Sequence, residues 1–395
     1  MNELSKLLRS SGDTKAENRQ AVLRSVMAKP GSQRDLVRRT GRSKATISTA
    51  VQELRASNVF LPRRGGRDDV VRMAPTHGVV VGVELGFQHT YIVARRVDQE
   101  YDQAVSAVLE TGAEMAAWPA TVAARIRDLV GLVGDGDEQL TTVGLAIPRM
   151  VDPGTQELTP PLLPPWENQP APGDLLAQKL GELTEREIQV AVDNDANLGA
   201  LGESVYGGYE RETLLYIKVS TGVGAGIRIG NIVVRGRLGI AGEFGHMVVD
   251  PQGRFCACGG RGCLETIVGA DRLVEQAGVV TGTGVGGHSQ NLEDLIRRAD
   301  RGDLVCRRVL TEAAGHLGRA LGSVCNLLSP DVIVIGGTWG TAPAAALVLP
   351  ACWAGLNQTA MPATHGDDFQ LCATRVNYAG AHGALIMGLD GAHAE

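Results

Sequence analysis

Aromatic side chains are scarce in this chain, 4% of 395 residues, and no apolar run approaches the roughly 20 residues that a membrane-spanning helix needs. A membrane-embedded chain is thereby disfavoured. The opening stretch, MNELSKLLRSSGDTK, lacks the apolar centre and small-residue cleavage site of a secretion signal, so a cytoplasmic location is expected. Cysteine is sparse and uneven: of seven, Cys256, Cys258 and Cys263 crowd into one short stretch. That spacing suits a metal ion better than a secreted disulfide framework. What is plentiful is glycine, 51 residues, within a composition that is 44% hydrophobic. This balance fits a soluble α/β protein with many tight turns. A chain of this length also exceeds the roughly 100–200 residues of a typical domain, which predicts two or three of them.

The net charge of −6 conceals a polarity. Residues 1–75 carry 16 Lys and Arg against 7 Asp and Glu, a balance of +9, whereas the remainder carries 22 against 37, a balance of −15. A basic head on an acidic body points to a polyanion partner for the head alone. Within that head, Val22, Leu23, Val26 and Met27 recur at helical spacing and predict a helix over 17–29. Ser32 and Asp35 have the spacing of a capping box and open a second short helix that ends at Thr40-Gly41. Ser43 caps a third, in which Ile47, Val51 and Leu54 share one face while Lys44, Thr46 and Thr49 lie on others and Arg42 stands at the N-terminal end. Two helices joined by a tight turn form a helix-turn-helix, which brings N-terminal side chains against DNA bases. Arg42, Ser43, Lys44, Thr46 and Thr49 are therefore candidate DNA contacts. NVFLPRRGGRDDVVRMAP then reads as two short strands around a basic turn, a wing whose Arg63, Arg64 and Arg67 would reach the DNA backbone or minor groove.

After Pro75 strands alternate with helices. HGVVVGVELGFQHTYIVARRV is strand, turn, strand, and the pattern recurs at 214–234 in LLYIKVSTGVGAGIRI and the residues after it. The duplication predicts two similar lobes with a cleft between them. We divide the chain into a winged helix-turn-helix at 1–75, a first α/β lobe at 76–200 and a second at 201–395. His246 with Cys256, Cys258 and Cys263 offers four nitrogen and sulfur ligands on a glycine-threaded loop, the number a closed, structural tetrahedral zinc site requires.

VDNDANLGALGE, STGVGAGI, AGEFGH and the run from His246 to Glu265 resemble, in order and spacing, the ROK family of repressors and sugar kinases of the actin-like superfamily. The resemblance spans roughly 15–390, including the winged head that ROK repressors carry and ROK kinases lack. It implies a two-lobed, actin-like sugar-kinase body behind a winged helix-turn-helix. It also implies that Asp195 stands where the kinases hold their general base, and that Asn194, Asp195, Glu243, His246 and Glu265 occupy sugar-binding positions. His246 would then serve both zinc and sugar through its two nitrogens.

The nucleotide side departs from the kinase pattern. Where the kinases carry Asp-x-Gly-Gly-Thr-Lys, this chain has Glu84-Leu85-Gly86-Phe87-Gln88-His89, in which Phe87 fills phosphate space. Thr221, Gly222 and Gly224 of the second phosphate turn are kept, as are Gly336 and Gly337, so these stand as vestigial nucleotide positions. Glycines persist equally where a strand pair needs them. The family's usual Pro-Gly is Pro148-Arg149 here, which implies a sugar pocket of altered specificity. The resulting expectation is a sugar-responsive regulator, most simply a repressor, that binds operator DNA as a homodimer or homotetramer. The alternative is an active ATP-dependent sugar kinase with a regulatory head, and control by a protein partner is a third reading.

Overall fold

The computed structural model describes residues 14–389 apart from 64–68, 77, 88, 100–102, 111–116, 134–138, 161–165, 167–170, 210–211, 231, 279–287, 365 and 367. The head begins with α1 (Thr14–Ala28), whose Val22, Leu23, Val26 and Met27 are buried as their spacing predicts. After β1 (Gly31–Ser32) comes α2 (Gln33–Thr40), started by a reciprocal capping box. The Ser32 hydroxyl accepts from the Asp35 amide at 3.2 Å, and the Asp35 carboxylate accepts from the Ser32 amide at 3.0 Å. α3 (Lys44–Ala56) follows, with Ser43 as N-cap and Ile47, Ala50, Val51 and Leu54 buried on one face. The chain returns through β2 (Val70–Val71), antiparallel to β1, and Phe60 bridges to Met73. Of the two expected wing strands, the second is β2, which pairs with β1, while the first is reduced to the Phe60–Met73 bridge and the Leu61 amide's bond to the Arg72 carbonyl at 3.0 Å; Arg64 and Arg67 lie outside the described residues.

The body holds two five-stranded sheets of the same plan. β3 (Gly78–Leu85), β4 (His89–Arg96), β5 (Val105–Glu110), β6 (Gln139–Ile147) and β7 (Gln189–Asn194) form the first, in the order β5-β4-β3-β6-β7. Helices α4 (Trp118–Val130), α5 (Pro172–Thr184) and α6 (Asp195–Tyr206) join it. β8 (Leu214–Val219), β9 (Val223–Ile229), β10 (Ile232–Val233), β11 (Val332–Gly337) and β12 (Gln370–Ala373) form the second, in the order β10-β9-β8-β11-β12. In each sheet the first three strands run antiparallel and the last two are added in parallel. The repeat read in the sequence is therefore a repeat of sheet topology. Helices α7 (Glu265–Val268), α8 (Ala270–Ala277), α9 (His288–Asp300), α10 (Leu304–Leu328) and α11 (Ala342–Thr359) belong to the second sheet's part of the chain. The near-continuous apolar runs GVVVGVEL and VIVIGG are buried along their length, as central strands covered on both faces must be.

The last helix, α12 (Ala379–Leu389), falls almost wholly in a different unit from the one the expected limits give it. Two compact units divide the chain, Met1–Arg211 with Gly380–Glu395, and Glu212–Ala379. A boundary at 200/201 would cut α6, which is continuous and mostly buried. α12 returns to the first unit because it is seated on that unit's sheet. The Thr142 hydroxyl donates to the Gly388 carbonyl at 2.6 Å, and a Cβ at Gly144 would stand 1.9 Å from the Ala384 carbonyl oxygen. Only glycine permits that approach of helix to strand.

Candidate functional sites

On the head, Arg42, Ser43, Lys44 and Thr49 are exposed and Thr46 is half-buried. Ser43 and Thr46 are committed to each other: the Ser43 Oγ accepts from the Thr46 amide at 3.1 Å and lies 2.8 Å from its hydroxyl. Their first task is to start α3. Arg42 and Lys44 stand at that helix's N-terminal end, where a recognition helix meets bases. Arg63, largely exposed, lies 3.7 Å from Asp69 at the wing's base.

In the first unit, Asn194 and Asp195 form the corner where β7 becomes α6. Asn194 Oδ1 accepts from the amides of Ala196 and Asn197, at 2.9 and 3.2 Å, and its Nδ2 donates to the Arg149 carbonyl at 3.1 Å. The buried Asp193 accepts from the Asn194 amide at 2.7 Å and from the Asn197 side chain at 3.1 Å. The Asn194 side chain thus holds the corner in place. Asp195, 7% exposed, is held at the start of the helix. The link to Arg149 had no signal in the sequence, because it joins residues 45 apart through a backbone carbonyl.

Glu84, at the position of the kinases' first phosphate-turn acid, accepts from the Ala381 amide at 3.2 Å and so caps α12. The Gly86 amide donates to the His89 carbonyl at 3.0 Å, which closes the turn on itself beside the half-buried Phe87. Behind Glu84 lies His382, 6% exposed, with the Tyr91 and Tyr206 rings 6.0 and 5.9 Å away. Burial drives the His382 imidazolium down to about 4, with Glu84 opposing. The unfolded chain therefore binds the extra proton between about pH 4 and the ordinary value of about 6.5, and stability is lost as pH falls through that window. The expected loss is up to about 3 kcal/mol. Urea melts at pH 7 and pH 4.5 should show His382→Gln less acid-sensitive than wild type; parallel pH dependences would count against it.

In the second unit, Glu265 Oε2 accepts from the Val223 amide at 2.9 Å, and a Cβ at Gly222 would fall 2.7 Å from the same oxygen. The Thr221-Gly222-Gly224 turn thus has an acid held against its backbone. Gly336 and Gly337 have their own packing reasons: a Cβ on Gly336 would overlap the Tyr216 ring, and Gly337 is left-handed at φ 65° against Ser220. Their presence is explained without a nucleotide.

The candidate metal ligands converge in this unit. His246, Cys256, Cys258 and Cys263 bring their ligand atoms within 4.8 Å of one another. Zinc bonds of about 2.3 Å to sulfur and about 2.0–2.1 Å to nitrogen make tetrahedral edges of about 3.8 Å (S to S) and about 3.6 Å (N to S). The Cys258 and Cys263 sulfurs are 3.7 Å apart, and Cys256 Sγ is 3.5 Å from His246 Nδ1. The donor set fits a metal. The Gly260 amide, at 3.4 Å, pulls the Cys258 thiol down, while burial pushes Cys263 up to about 12, so metal loading must release protons. His246 turns its other nitrogen, Nε2, to Glu243 at 3.5 Å. A carboxylate there orients a ligand histidine.

Residues 80–390 match the sequence profile of the ROK family. The xylose repressor of Caldicellulosiruptor bescii is 28% identical over 311 residues, 74% of this chain and 76% of that protein. Among solved structures, a ROK family transcriptional regulator described as a homologue of the Escherichia coli Mlc protein superposes with a TM-score of 0.69 at 20% identity, covering 94% of this chain and 97% of its own. The ROK family glucokinase of Streptomyces griseus, in complex with glucose and AMPPNP, gives a TM-score of 0.61 at 25% identity, covering 80% and 100%. With a profile match over most of its length, twin sheets of one plan and the glycine-rich, Cys-His motifs in order, this chain belongs to the ROK family.

Proposed function

We propose that this protein is a sugar-responsive transcriptional repressor whose head binds operator DNA and whose body binds the sugar or sugar-derivative effector. One observation carries the reading: a helix-turn-helix with exposed Arg42 and Lys44 at its recognition end is built into the same compact unit as the body's first sheet. The xylose repressor of C. bescii supports it at the level of relatives. In this reading the protein acts in the cytoplasm as a homodimer or homotetramer, because paired heads match paired half-sites on DNA. Among the described residues no helix is long and apolar enough to cross a membrane. Zinc would be held by His246, Cys256, Cys258 and Cys263; four protein ligands leave no open position, so the ion would clamp the loop rather than activate water.

Asp195 is the effector group we assign in the first unit. In the second, the Glu243, His246 and Glu265 side chains offer hydroxyl-binding atoms of their own. The glucokinase likeness favours the second reading, an active kinase. Against it stands the first phosphate turn, where Glu84 is spent on capping α12 and Phe87 replaces a glycine.

The two readings separate in one variant. Asp195→Asn keeps size and removes charge and base, so in a repressor it should weaken binding of the sugar by about 1.5–3 kcal/mol, as expected for a hydrogen bond to a charged group, and leave sugar-free operator affinity near wild type. Isothermal titration with D-xylose and D-glucose, beside an ATP-coupled assay, checks this. Wild-type ATP turnover abolished by Asp195→Asn would establish the kinase instead.

A further inference from the structure

The head is not carried on a loose linker. Val22, Leu23, Val26, Met27, Leu36 and the other head core residues form one buried cluster with Val80 and Val93 of the first sheet, Val97 just after β4, and Ala381, Leu385 and Leu389 of α12. Through this shared core passes Arg95 of β4, 1% exposed. Its Nη2 donates to the carbonyl of Met27 in the last turn of α1, and its Nη1 donates to the Gln99 carbonyl at 2.6 Å. A guanidinium at a helix C-terminus meets carbonyls left without intrahelical partners and the negative end of the helix dipole. A full charge buried in an apolar core is costly unless its donors are satisfied, and here both Nη groups are held by carbonyls while Nε has no hydrogen-bond partner among the described residues, so the charge depends on these few bonds.

A second helix ends against the same core. Tyr206 packs against the same cluster, its ring 5.9 Å from His382 of α12 at 76°, and its enclosed hydroxyl lies in the field of the Arg95 guanidinium. Tyr206 is the last residue of α6, whose first residue is Asp195. Twelve helical residues span about 18 Å. Between the two ends α6 is buried almost throughout, and it is locked to α12 backbone against backbone: a Cβ on Gly383 would stand 1.8 Å from the Leu198 carbonyl oxygen. A helix so enclosed moves as a rod or not at all, since packed interiors shift between discrete arrangements rather than deform smoothly.

We propose that α6 is the rod that couples effector to operator: a sugar bound at Asp195 displaces its N-terminal end, and Tyr206 at its other end resets the Arg95 clamp on the Met27 carbonyl and with it the orientation of the head. Arg95 and Tyr206 are positioning residues in this scheme and touch neither sugar nor DNA. The inference rests on the repressor reading and on the assignment of Asp195 to the effector.

The test uses the full-length protein, its selected operator duplex, and D-xylose, with D-glucose as the second probe. Coupling between sites typically changes affinity 5- to 150-fold. Wild type should change its operator affinity by at least about 5-fold on saturation with the sugar that raises its melting temperature. Tyr206→Phe, which removes one oxygen, and Arg95→Gln should bind the same sugar with unchanged Kd and bind operator without sugar within about 3-fold of wild type, yet respond to sugar by less than about 2-fold. Arg95→Lys, which restores the charge, should recover part of the response. A variant response equal to wild type overturns the rod. If wild type itself responds to neither sugar, the repressor reading fails instead, and a sugar-independent readout still judges the clamp. Amide exchange over residues 22–28 should then rise in Tyr206→Phe and Arg95→Gln while β6 and β7 stay protected, and unchanged exchange in 22–28 would refute it.

Discussion

Cys258→Ser protein should be purified without metal and should melt well below wild type, with the loop from His246 to Cys263 opened to protease. The size of the effect follows from the linkage of metal to folding. Structural zinc sites in zinc-finger peptides bind with about 10–16 kcal/mol at neutral pH, and that energy is available only to the folded loop. Here the loop has other anchors. Val248 bridges to Cys263, Phe255 bridges to Arg261, and the Val249 amide donates to the Gly262 carbonyl at 2.9 Å. These short pairings are local, so we expect them to fail when Cys258 and Cys263 can no longer share an ion. A loss of several kcal/mol is expected, enough to displace the melting temperature of the second unit by about 10 °C or more. Metal analysis should find about one zinc per wild-type chain and none in the variant. Full metal content in Cys258→Ser, or metal-free wild type with an unchanged melt, would remove the ion from the account.

The second large effect belongs to the head. Arg42→Ala combined with Lys44→Ala should lower operator affinity by about two to four orders of magnitude, because each base or phosphate contact contributes about 1–3 kcal/mol. Both side chains are exposed at the start of α3 and carry no part of the head's core, so folding and sugar-induced stabilisation should stay as in wild type. The salt dependence separates the two roles. A lost phosphate contact reduces the slope of log affinity against log salt by about 1, whereas a lost base contact relaxes sequence preference and leaves the slope nearly intact. Operator affinity equal to wild type at fixed salt would mean that another surface of the head reads DNA.

What the sequence disclosed was local. The Ser32 to Asp35 capping box, the Ser43 cap and the buried stripe of α3 follow from spacings of three and four residues, and they stand in the structure where the spacing puts them. The metal corner was legible for the same reason, since a short glycine-threaded loop has few ways to bring three thiols and an imidazole together. The strand-turn-strand repeat gave both sheets. Long-range relations were not legible. Nothing in the pattern of residues 379–389 says that this helix leaves the second unit and seats on Gly144, because only the glycine's lack of a Cβ permits it. Asn194 has the residue type of a ligand contact, and its amide also starts α6 and donates to the Arg149 carbonyl, a structural part that no local spacing announces. Gly336 carries a packing reason that the sequence does not show, the Tyr216 ring placed over it. Arg95 reads as an ordinary strand-end cation, and its meeting with Met27 joins residues 68 apart.

The claim that this is a DNA-binding sugar sensor is tested most directly by a single titration. An operator duplex selected from random sequence is held at fixed salt, its binding by the full-length protein is followed by fluorescence anisotropy, and the titration is repeated with saturating D-xylose or D-glucose. The account predicts tight, sequence-selective binding that shifts by at least about 5-fold with one of these sugars and no ATP-dependent consumption of that sugar. Binding that is indifferent to sequence and sugar, together with sugar phosphorylation at the roughly 1–100 per second typical of kinases, would contradict it.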